Sequence, residues 1–518
     1  MGRRTRVYFA TDGRMGGGLG SATRPNGDVL IAIDVGTSGA RASVFDLDGH
    51  RLLEVRRPYA TAAPAEGWAE QDARAWRSGA LSAVRGAVAA LAPGARVRAI
   101  GLTGQCPSFV GVDARGEPTG PGLIYRDNRA TVEADEIRER FGDAAIHART
   151  GHLPAAFHVG PKVLWLRRHR PAEFAAARRF LQPRDLVVRA LTGIETTDGT
   201  HASATLFVDI RTREWAPDLL AAWDLDPGLF PPIRASWEVV ETVLPAVARR
   251  LGLPAGVPVV LGGADSQACA LGAGVVAPGA VSEMAGSSTC LNAVVVEPLQ
   301  ELLVTHYPHV VPGPYTTETG INTTGLAIDW VARLLYGGRT AKPGPADWAR
   351  LDAEAAGAAP GSGGLLAVPV FGDGERTDAS LRAALTGLSL RHGRAEIARA
   401  MLEGVAYEMR EQLDLVRGAG APVRELRVSG GDTRLRTWNQ VKADVTGVPV
   451  ARIPGDAAVT GVAMLAGLGA GVYPDLADAV ARCVRVDEVA EPDPSRVALY
   501  DEGYAGYRAL VDSASVRR

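Results

Sequence analysis

Two short segments far apart in the chain share one pattern, and this repetition limits the fold more than any other feature of the sequence. Residues 29–46 (VLIAIDVGTSGARASVFD) and residues 281–296 (VSEMAGSSTCLNAVVV) each contain two runs of β-forming residues joined by a turn of glycine, serine and threonine. Each segment predicts a β-hairpin. Helix and strand patterns alternate after each hairpin, which is typical of α/β layers. The sequence therefore predicts two related α/β halves.

Several elements around these hairpins carry local signals of their own. Residues 72–91 place apolar side chains at helical spacing, with Asp72 as the candidate N-cap. Residues 97–103 have the pattern of a buried strand. Residues 435–446 predict a helix that ends at Gly447.

A glycine-rich stretch shortly after residue 272 marks the expected boundary between the halves. It divides the chain into a disordered leader at residues 1–27, an N-terminal domain at residues 28–272 and a C-terminal domain at residues 273–510. Residues 457–474 carry no charge and just reach the length of a membrane span, but glycines, a threonine and a proline dilute their hydrophobicity. We expect a buried helix there.

The charge and the cysteines exclude several classes of protein. The 518 residues include 56 basic and 58 acidic side chains, so the overall charge favours neither a nucleic acid nor a membrane as partner. The four cysteines are far apart and form no C-x-x-C pair, which excludes a disulfide scaffold and a zinc ribbon and fits a reducing cytoplasm. No lysine precedes serine or threonine, so a Walker A phosphate loop is excluded.

The two hairpin turns are candidate phosphate sites. Backbone N–H groups and hydroxyls in such a turn form a concave cluster that suits phosphate oxygens. Asp34 precedes the first turn, and a carboxylate beside phosphates needs a cation between them, so Asp34 is a candidate Mg²⁺ ligand through water. Each turn alone could be only a tight hairpin, but two such turns in similar halves favour phosphate binding. The turn residues are Gly36, Thr37 and Ser38 in the first half, and Gly286, Ser287, Ser288 and Thr289 in the second.

Polar residues follow three further strand patterns. Asp265 comes directly after a buried strand and two glycines, where open α/β folds place ligand chemistry, although it could equally cap the next helix. Gln105 follows another strand, and residues 125–129 (YRDNR) follow a third. These side chains could hydrogen-bond a polyhydroxylated ligand, or they could form a solvated loop with an Arg–Asp pair.

Seven segments occur in a characteristic order along the chain. They are AIDVGTSGARASVFD, FHVGPKVLW, GGADSQACALGAG, MAGSSTC, FGDGERTD, AALTGLSLRHGRAEIARAMLE and SGGDTRLRTWNQVKADVTG. Together they resemble the FGGY carbohydrate kinases, and among these the xylulokinases most, over residues 28–505.

This resemblance implies a fold, cofactors and roles. It implies an α/β protein of two actin-like (ribonuclease H-like) ATPase domains, with a nucleotide and sugar cleft between them. ATP and Mg²⁺ would be the cofactors, and a hydroxyl of a ketose such as D-xylulose would receive the phosphate. A homodimer in the cytoplasm is the expectation at family level. Asp265 would be the general base, Asp34 would organise the metal and the turns would hold phosphates. Gly430, Gly431 and Arg434 would border the adenosine, and Gln105, Cys106, Asp127, Asp265 and Ser266 would face the sugar.

The sugar pocket departs from the xylulokinase pattern. The usual Gln-Met-His-Gly, Trp-Asn-Asp and Asp-Asn are replaced here by Gln105-Cys106-Pro107-Ser108, Tyr125-Arg126-Asp127 and Asp265-Ser266. Val159 and Asp432 also differ from the family signatures. Glycerol, ribulose, ribitol or erythritol are therefore alternative acceptors. An actin-class ATPase without a sugar acceptor is a further alternative.

Overall fold

The computed structural model describes residues 6–11, 14–17, 24–336, 343–372 and 380–515. Residues 373–378, which belong to the FGDGERTD segment, lie outside the described residues. By its contacts the chain divides into two units. Unit 1 comprises residues 1–274, 305–316 and 458–484, and unit 2 comprises residues 275–304, 317–457 and 485–518.

The elements are numbered in chain order. The strands are β1 Arg6–Thr11, β2 Arg14–Gly17, β3 Asp28–Val35, β4 Gly39–Phe45, β5 Arg51–Pro58, β6 Glu70–Gln71, β7 Arg96–Gly104, β8 Val110–Val112, β9 Gly122–Leu123, β10 Arg179–Leu181, β11 Thr197–Asp198, β12 Val208–Asp209, β13 Glu214–Trp215, β14 Ile233–Arg234, β15 Val239–Thr242, β16 Pro258–Ala264, β17 Gly279–Ala285, β18 Thr289–Val295, β19 Thr305–Pro308, β20 Tyr315–Ile321, β21 Leu366–Val368, β22 Ala384–Thr386, β23 Val423–Gly430, β24 Val450–Arg452 and β25 Glu488–Ala490. The helices are α1 Ala73–Ala89, α2 Thr131–Phe141, α3 Asp143–Thr150, α4 Val159–His169, α5 Pro171–Ala176, α6 Pro183–Thr192, α7 Gly199–Ser203, α8 Pro217–Ala221, α9 Pro245–Leu251, α10 Asp265–Gly272, α11 Thr324–Tyr336, α12 Pro345–Gly357, α13 Arg394–Gly418, α14 Arg436–Thr446, α15 Ala457–Gly469, α16 Leu476–Cys483 and α17 Val497–Ser515.

Three parallel strands form the centre of the sheet in unit 1. β7 pairs in parallel with β3 on one side and with β16 on the other. On the far side of β3, the antiparallel strands β4 and β5 complete a meander. The resulting order, β5-β4-β3-β7-β16, is 3-2-1-4-5 when these strands are counted as they appear along the chain. Every residue of β3 after Asp28 is buried, as expected for a central strand covered on both faces.

The sheet of unit 2 repeats this topology. β17 pairs with β18 in antiparallel fashion, and β17, β23 and β24 pair in parallel. The order β20-β18-β17-β23-β24 is again 3-2-1-4-5. Each unit therefore contains the sheet of an actin-like (ribonuclease H-like) domain, and the predicted fold class is confirmed.

The two helices predicted in detail are present. α1 begins after Asp72, whose carboxylate accepts a hydrogen bond from a backbone N–H of the first turn at 2.9 Å. Trp76 and Val84 on its buried face pack in the core of unit 1. α14 ends at Gly447, which has a φ of +70° that glycine adopts without strain.

The N-terminal residues differ from the disordered leader that the sequence predicts. β1 pairs with β2 and also with β5, in both cases antiparallel. Residues 7–9 (VYF) have high β propensity, and the outer edge of β5 offers backbone groups that an added strand can pair with. The structure thus forms strands at residues 6–11 and 14–17, within the predicted leader at residues 1–27.

Two segments from the later part of the chain pack with unit 1, which a single boundary at residue 272 does not foresee. One of them contains most of α15, which is largely buried, as predicted for residues 457–474. A Cβ added at Gly461 in α15 would lie only 2.0 Å from the carbonyl oxygen of Ala268 in α10, so the contact requires glycine. Among the described helices, none has both the length and the apolar character needed to cross a bilayer.

Four histidines meet where residues 305–316 pack within unit 1. The ring centroids of His147 and His306 are 5.5 Å apart, and those of His152 and His158 are 5.2 Å apart. Burial, with a smaller contribution from His147, lowers the pKa of His306 to about 3. Burial and the neighbouring histidines also lower the pKa of the fully buried His152 well below its ordinary value. Both imidazoles are therefore neutral at pH 7.

We expect the free energy of unfolding to fall between pH 7 and pH 5. A histidine whose pKa is lowered in the folded state takes up its proton first in the unfolded state, so stability is lost as the pH falls below the unfolded pKa of about 6.5. For His306 alone the loss by pH 5 is about 2 kcal/mol. Urea unfolding at both pH values measures the difference. The variant His306→Phe should lose less stability than wild type, and an equal loss in both proteins would contradict the prediction.

Candidate functional site

The C-terminal ends of three parallel strands lie side by side in unit 1. The strand register aligns the last residues of β3, β7 and β16 with one another. Asp34 is at the end of β3, Gln105 directly follows β7 and Asp265 directly follows β16. β3 and β16 are two strand spacings apart, roughly 10 Å. The structure therefore brings the predicted metal, sugar and base residues of unit 1 to one edge of its sheet.

The first predicted phosphate turn directs its carbonyl groups into unit 1. The carbonyl of Gly36 accepts a hydrogen bond from the Tyr59 hydroxyl. The carbonyl of Thr37 accepts one from the side-chain amide of Gln71 at 2.7 Å, and the carbonyl of Ser38 accepts one from the backbone N–H of Tyr59 at 3.3 Å. Since C=O and N–H point in opposite directions in a trans peptide, the N–H groups of Thr37 and Ser38 face away from these contacts. Neither N–H has an acceptor within the described part of the chain, as a phosphate cradle requires.

Asp34 on β3 lies directly opposite Arg41 on β4. The register pairs the two residues, and Arg41 Nε is 2.7 Å from Asp34 Oδ2. Arg41 therefore places a cation beside the turn. The sequence analysis missed this residue, although pairing the two strands outward from the predicted turn sets Arg41 opposite Asp34. In the described part of the chain, no group of three or more His, Cys, Asp or Glu side chains could hold a metal by itself. One carboxylate nevertheless fits Mg²⁺, because that ion takes most of its ligands from water and phosphates.

Asp265 is the first residue of α10 and is half-buried. Ala264, and not Asp265, occupies the N-cap position, so the capping alternative does not describe this helix. A carboxylate in the first turn is stabilised by the helix dipole. The path of the backbone that leads to Asp265 depends on Gly262 in β16, which has a φ of +76°. A Cβ there would lie 1.6 Å from the carbonyl oxygen of Leu102, so only glycine allows β16 to pass β7 this closely.

A buried arginine holds the backbone that leads to Asp265. The Nη1 atom of Arg184 donates hydrogen bonds to the carbonyl oxygens of Leu261 and Gly262, each at 2.8 Å. Its Nη2 atom lies 3.0 Å from Asp198 Oδ1, and both side chains are fully buried. Burial by itself would raise the pKa of Asp198, but Arg184 and the other hydrogen-bond donors hold that pKa well below its usual range. The position of Asp265 thus rests on a buried ionic network.

The predicted sugar residues at the same edge are largely buried. Gln105 and Ser266 are buried, and Cys106 is half-buried. Gln105 Nε2 donates a hydrogen bond to Gln71 Oε1 at 2.9 Å. Gln105 Oε1 is buried and has no partner among the described residues. A buried acceptor in this state suits a ligand hydroxyl, because buried polar groups are nearly always hydrogen-bonded.

Asp127 is completely buried and its carboxylate is occupied. It accepts hydrogen bonds from the backbone N–H of Ala69 at 2.6 Å and from Arg129 Nε and Nη2 at 2.8 and 2.7 Å. The guanidinium of Arg129 also lies over Trp68, 3.7 Å from the ring centroid. The Arg–Asp pair considered from the sequence is therefore present, but it is buried rather than solvated. In this structure Asp127 fixes Arg129, and its contact with a sugar stays a prediction.

Lys162 is a buried residue whose role in this loop the sequence analysis missed. Its Nζ donates a hydrogen bond to the carbonyl oxygen of Ile124 at 2.7 Å. Burial lowers the pKa of this ammonium group to about 7, and Asp127 opposes that shift. Lys162 thus anchors the chain just before Tyr125. The sequence signal was its place in the FHVGPKVLW segment.

The second predicted phosphate turn rests on the N-terminus of α11 within unit 2. The carbonyls of Gly286 and Ser287 accept hydrogen bonds from the backbone N–H groups of Gly325 and Leu326 at 3.1 and 3.2 Å. The carbonyl of Ser288 accepts one from the N–H of Gly286 at 3.1 Å. As in unit 1, the carbonyls are held by the protein and the N–H groups of Ser287 and Ser288 face away from these contacts.

Two threonine hydroxyls lie beside this turn. Thr289 Oγ1 and Thr324 Oγ1 are buried and without a hydrogen-bond partner among the described residues. Thr324 is the first residue of α11, whose N-terminal dipole favours an anion. A Cβ at Gly325 would lie 2.1 Å from the carbonyl oxygen of Gly286, so the helix can approach the turn only with glycine there. Thr324 and Gly325 are further candidate phosphate residues that the sequence analysis missed.

The predicted adenosine residues lie at the same edge of the sheet in unit 2. Gly430 at the end of β23 pairs with Ala285 at the end of β17, just before the second turn. A Cβ at Gly430 would lie 2.1 Å from the carbonyl oxygen of Ala285. Gly431 has open space around its Cβ position, and Arg434 is exposed. The structure thus places Gly430 beside the turn at residues 286–289, with Gly431 next in the chain, and the role of Arg434 stays a prediction.

Comparisons with known proteins cover nearly the whole chain. Residues 29–272 match the N-terminal domain of the FGGY family of carbohydrate kinases, and residues 281–470 match its C-terminal domain. The xylulose kinase of Bacillus subtilis is 27% identical over 489 residues, which are 93% of this chain and 96% of that protein. The glycerol kinase of Gloeobacter violaceus is 31% identical over 497 residues, with the same coverage of each chain. The crystal structure of xylulose kinase from Rhodospirillum rubrum superposes with a TM-score of 0.87 at 31% identity, covering 94% of this chain and 98% of that one.

Proposed function

Since this chain belongs to the FGGY family of carbohydrate kinases, a family of sugar phosphotransferases that use ATP, we propose that it transfers the γ-phosphoryl group of MgATP to a hydroxyl of a ketose such as D-xylulose. The observation that carries the proposal is the alignment of β3, β7 and β16, which places Asp34, Gln105 and Asp265 at one sheet edge. The similarity to xylulose kinases supports the ketose.

In the proposed reaction Asp265 acts as the general base. The acceptor hydroxyl is oriented by hydrogen bonds, including one to Gln105 Oε1, and Asp265 accepts its proton as the oxygen attacks the γ-phosphorus. The bond from that phosphorus to the β–γ bridging oxygen breaks, and ADP leaves. The outward N–H groups of Thr37 and Ser38 stabilise charge on the phosphate oxygens, and the turn at residues 286–289 binds nucleotide phosphates in unit 2. Mg²⁺ near Asp34 would neutralise phosphate charge when bound. We also propose that the protein acts in the cytoplasm as a homodimer. A reducing compartment is in line with its four widely spaced cysteines.

The acceptor is tested directly by a panel of sugars and polyols. D-Xylulose, D-ribulose, glycerol, ribitol and erythritol are offered with MgATP, and ADP formation and the phosphorylated product are measured. Glycerol is the alternative with a specific observation behind it, the 31% identity to a glycerol kinase. We expect the largest kcat/KM with D-xylulose. Faster turnover of a polyol would replace the ketose, and ATP turnover that no acceptor stimulates would favour an actin-class ATPase instead.

Thr37→Ala is expected to weaken the use of MgATP more than the use of the acceptor. The hydroxyl at the first turn is proposed to hydrogen-bond a phosphate, and such a bond to a charged group is worth about 1.5–3 kcal/mol. The KM for MgATP should rise about tenfold or more, while the KM for the acceptor stays within about twofold. Thr242→Ala, at the exposed last residue of β15, is the matched control. A change confined to the acceptor KM would contradict the role given to Thr37.

A further inference from the structure

Gln71 is a buried amide that makes hydrogen bonds with four different groups of unit 1. Its Nε2 donates to the carbonyl oxygen of Thr37 and to Thr61 Oγ1, each at 2.7 Å. Its Oε1 accepts from Trp76 Nε1 at 2.7 Å and from Gln105 Nε2 at 2.9 Å. Both hydrogens of the amide nitrogen and both acceptor positions of the oxygen are thereby used.

The chemistry of these partners fixes the orientation of both amides. The Trp76 indole N–H can only donate, so the atom of Gln71 that faces it must be the oxygen. The carbonyl of Thr37 can only accept, so the atom of Gln71 that faces it must be the nitrogen. Because Gln71 presents an acceptor to Gln105, Gln105 must use its own NH₂ group there. Gln105 Oε1 is consequently the atom that remains buried without a partner in the part of the chain that the structure describes.

Each end of this arrangement touches a different part of the candidate site. The bond to the Thr37 carbonyl sets the plane of the peptide that carries the Ser38 N–H, and so aims that N–H outward. The bond from Gln105 sets the direction in which its Oε1 is presented. One side chain therefore positions both a phosphate-binding N–H and the candidate acceptor for a sugar hydroxyl.

We infer that Gln71 is a positioning residue that couples acceptor binding at Gln105 to nucleotide binding at the first phosphate turn. The inference rests on the proposed function, since it assigns the two ends to the two substrates of that reaction. A ligand that orders Gln105 also orders Gln71 and the Thr37–Ser38 peptide, so the second substrate meets a turn already in place. By linkage the effect is reciprocal: nucleotide raises the affinity for the acceptor by the same factor.

Calorimetric titration of the full chain tests this coupling. The probe for the nucleotide is AMP-PNP with Mg²⁺, titrated with and without the acceptor that is used best in the panel. In wild type we expect the acceptor to lower the Kd of AMP-PNP about fivefold or more. Gln71→Met keeps the length of the side chain but removes all four bonds. It should weaken AMP-PNP binding about tenfold, raise the acceptor KM, and bring the coupling factor close to one.

Two further variants separate positioning from a general loss of structure. In Gln71→Glu the ionised carboxylate repels the Thr37 carbonyl, whereas the protonated carboxyl can donate a hydrogen bond to it. The affinity of this variant for AMP-PNP, relative to wild type, should therefore increase as the pH is lowered from 8 to 6. Trp76→Phe removes one donor to Gln71 and should reduce the coupling only in part. Trp215→Phe loses a comparable indole hydrogen bond, to the Pro231 carbonyl at 2.9 Å, and should change neither Kd nor coupling.

The outcomes distinguish this inference from the proposed function. If wild type phosphorylates an acceptor but Gln71→Met keeps both affinities and the coupling factor, Gln71 does not position the site. If no acceptor is phosphorylated, the proposed function fails. The link from Gln71 to the first turn is then still decided by the AMP-PNP titration, which needs no acceptor. A variant that only lowers Tm, with unchanged affinities, would also overturn the inference.

Discussion

Replacing Asp265 with asparagine is expected to lower kcat by about 10²–10⁴-fold, the usual contribution of a well-placed general base. The amide has nearly the same shape but cannot accept the proton of the attacking hydroxyl. Asp265 stands at the start of α10, at the sheet edge that also carries Asp34 and Gln105. The kcat is measured by ADP release with the best acceptor, and AMP-PNP binding is measured by calorimetry.

The matched control for this variant is Asp218→Asn. Asp218 is also an acidic residue in the first turn of a helix, α8, but it is exposed and pairs with the partly exposed Arg149 at 3.1 Å. We expect wild-type turnover in the control and near-normal AMP-PNP affinity in both variants. An Asp265→Asn protein that retains wild-type kcat would remove this carboxylate from the mechanism. A loss of nucleotide affinity as large as the loss of kcat would assign it to binding instead.

Replacing Arg184 with leucine is expected to lower the free energy of unfolding of unit 1 by about 3–5 kcal/mol, the range observed when one partner of a buried ion pair is removed. The reason is the charge that remains, because the ionised Asp198 and the carboxylate of Asp185, 2.7 Å from Arg184 Nη2, are both buried and both lose this cation. The backbone leading to Asp265 also loses the two hydrogen bonds to the carbonyls of Leu261 and Gly262. Activity should therefore fall with stability. Urea unfolding followed by circular dichroism measures the change.

Two comparisons make this second prediction specific. The double variant Arg184→Leu with Asp198→Asn removes the charges of Arg184 and Asp198 and should recover part of the lost stability, while the buried Asp185 still lacks the cation that lies 2.7 Å from it in wild type. Arg96→Leu breaks an exposed ion pair with Asp28, at 2.6 Å, and should cost less than about 1 kcal/mol. If Arg184→Leu costs no more than Arg96→Leu, the network is not the support described here.

The parts of the fold that could be predicted from the sequence are those with local signals. The two hairpins, α1 with its cap at Asp72 and α14 with Gly447 at its end all follow from residue types at short spacing. The positions of Asp34 and Asp265 relative to their strands were predictable for the same reason. Both units contain a hairpin with a turn of glycine, serine and threonine, and both have the same strand order. The repeated sequence pattern therefore correctly predicted two related halves.

The remaining features depend on contacts between residues distant in sequence. Gln71 lies 34 positions from both Thr37 and Gln105, and nothing in its local sequence indicates that it joins them. Asp127 was predicted to face a sugar, but only the folded chain shows that Ala69 and Arg129 occupy its carboxylate. The packing of residues 305–316 and 458–484 with unit 1 has no local signal either, because it depends on contacts with residues more than a hundred positions earlier in the chain, such as the one between Gly461 and Ala268.

The assignment of residues 458–484 to unit 1 has a consequence for biosynthesis. Residues leave the ribosome in chain order, and domains usually fold as soon as they are complete. Unit 1 is not complete until residue 484 has been made, because α15 fits against α10 through the Gly461–Ala268 contact. While residues 273–456 are being made, the surface of α10 that α15 later covers therefore stays uncovered, and exposed apolar surface of this kind is what makes incomplete chains prone to aggregation.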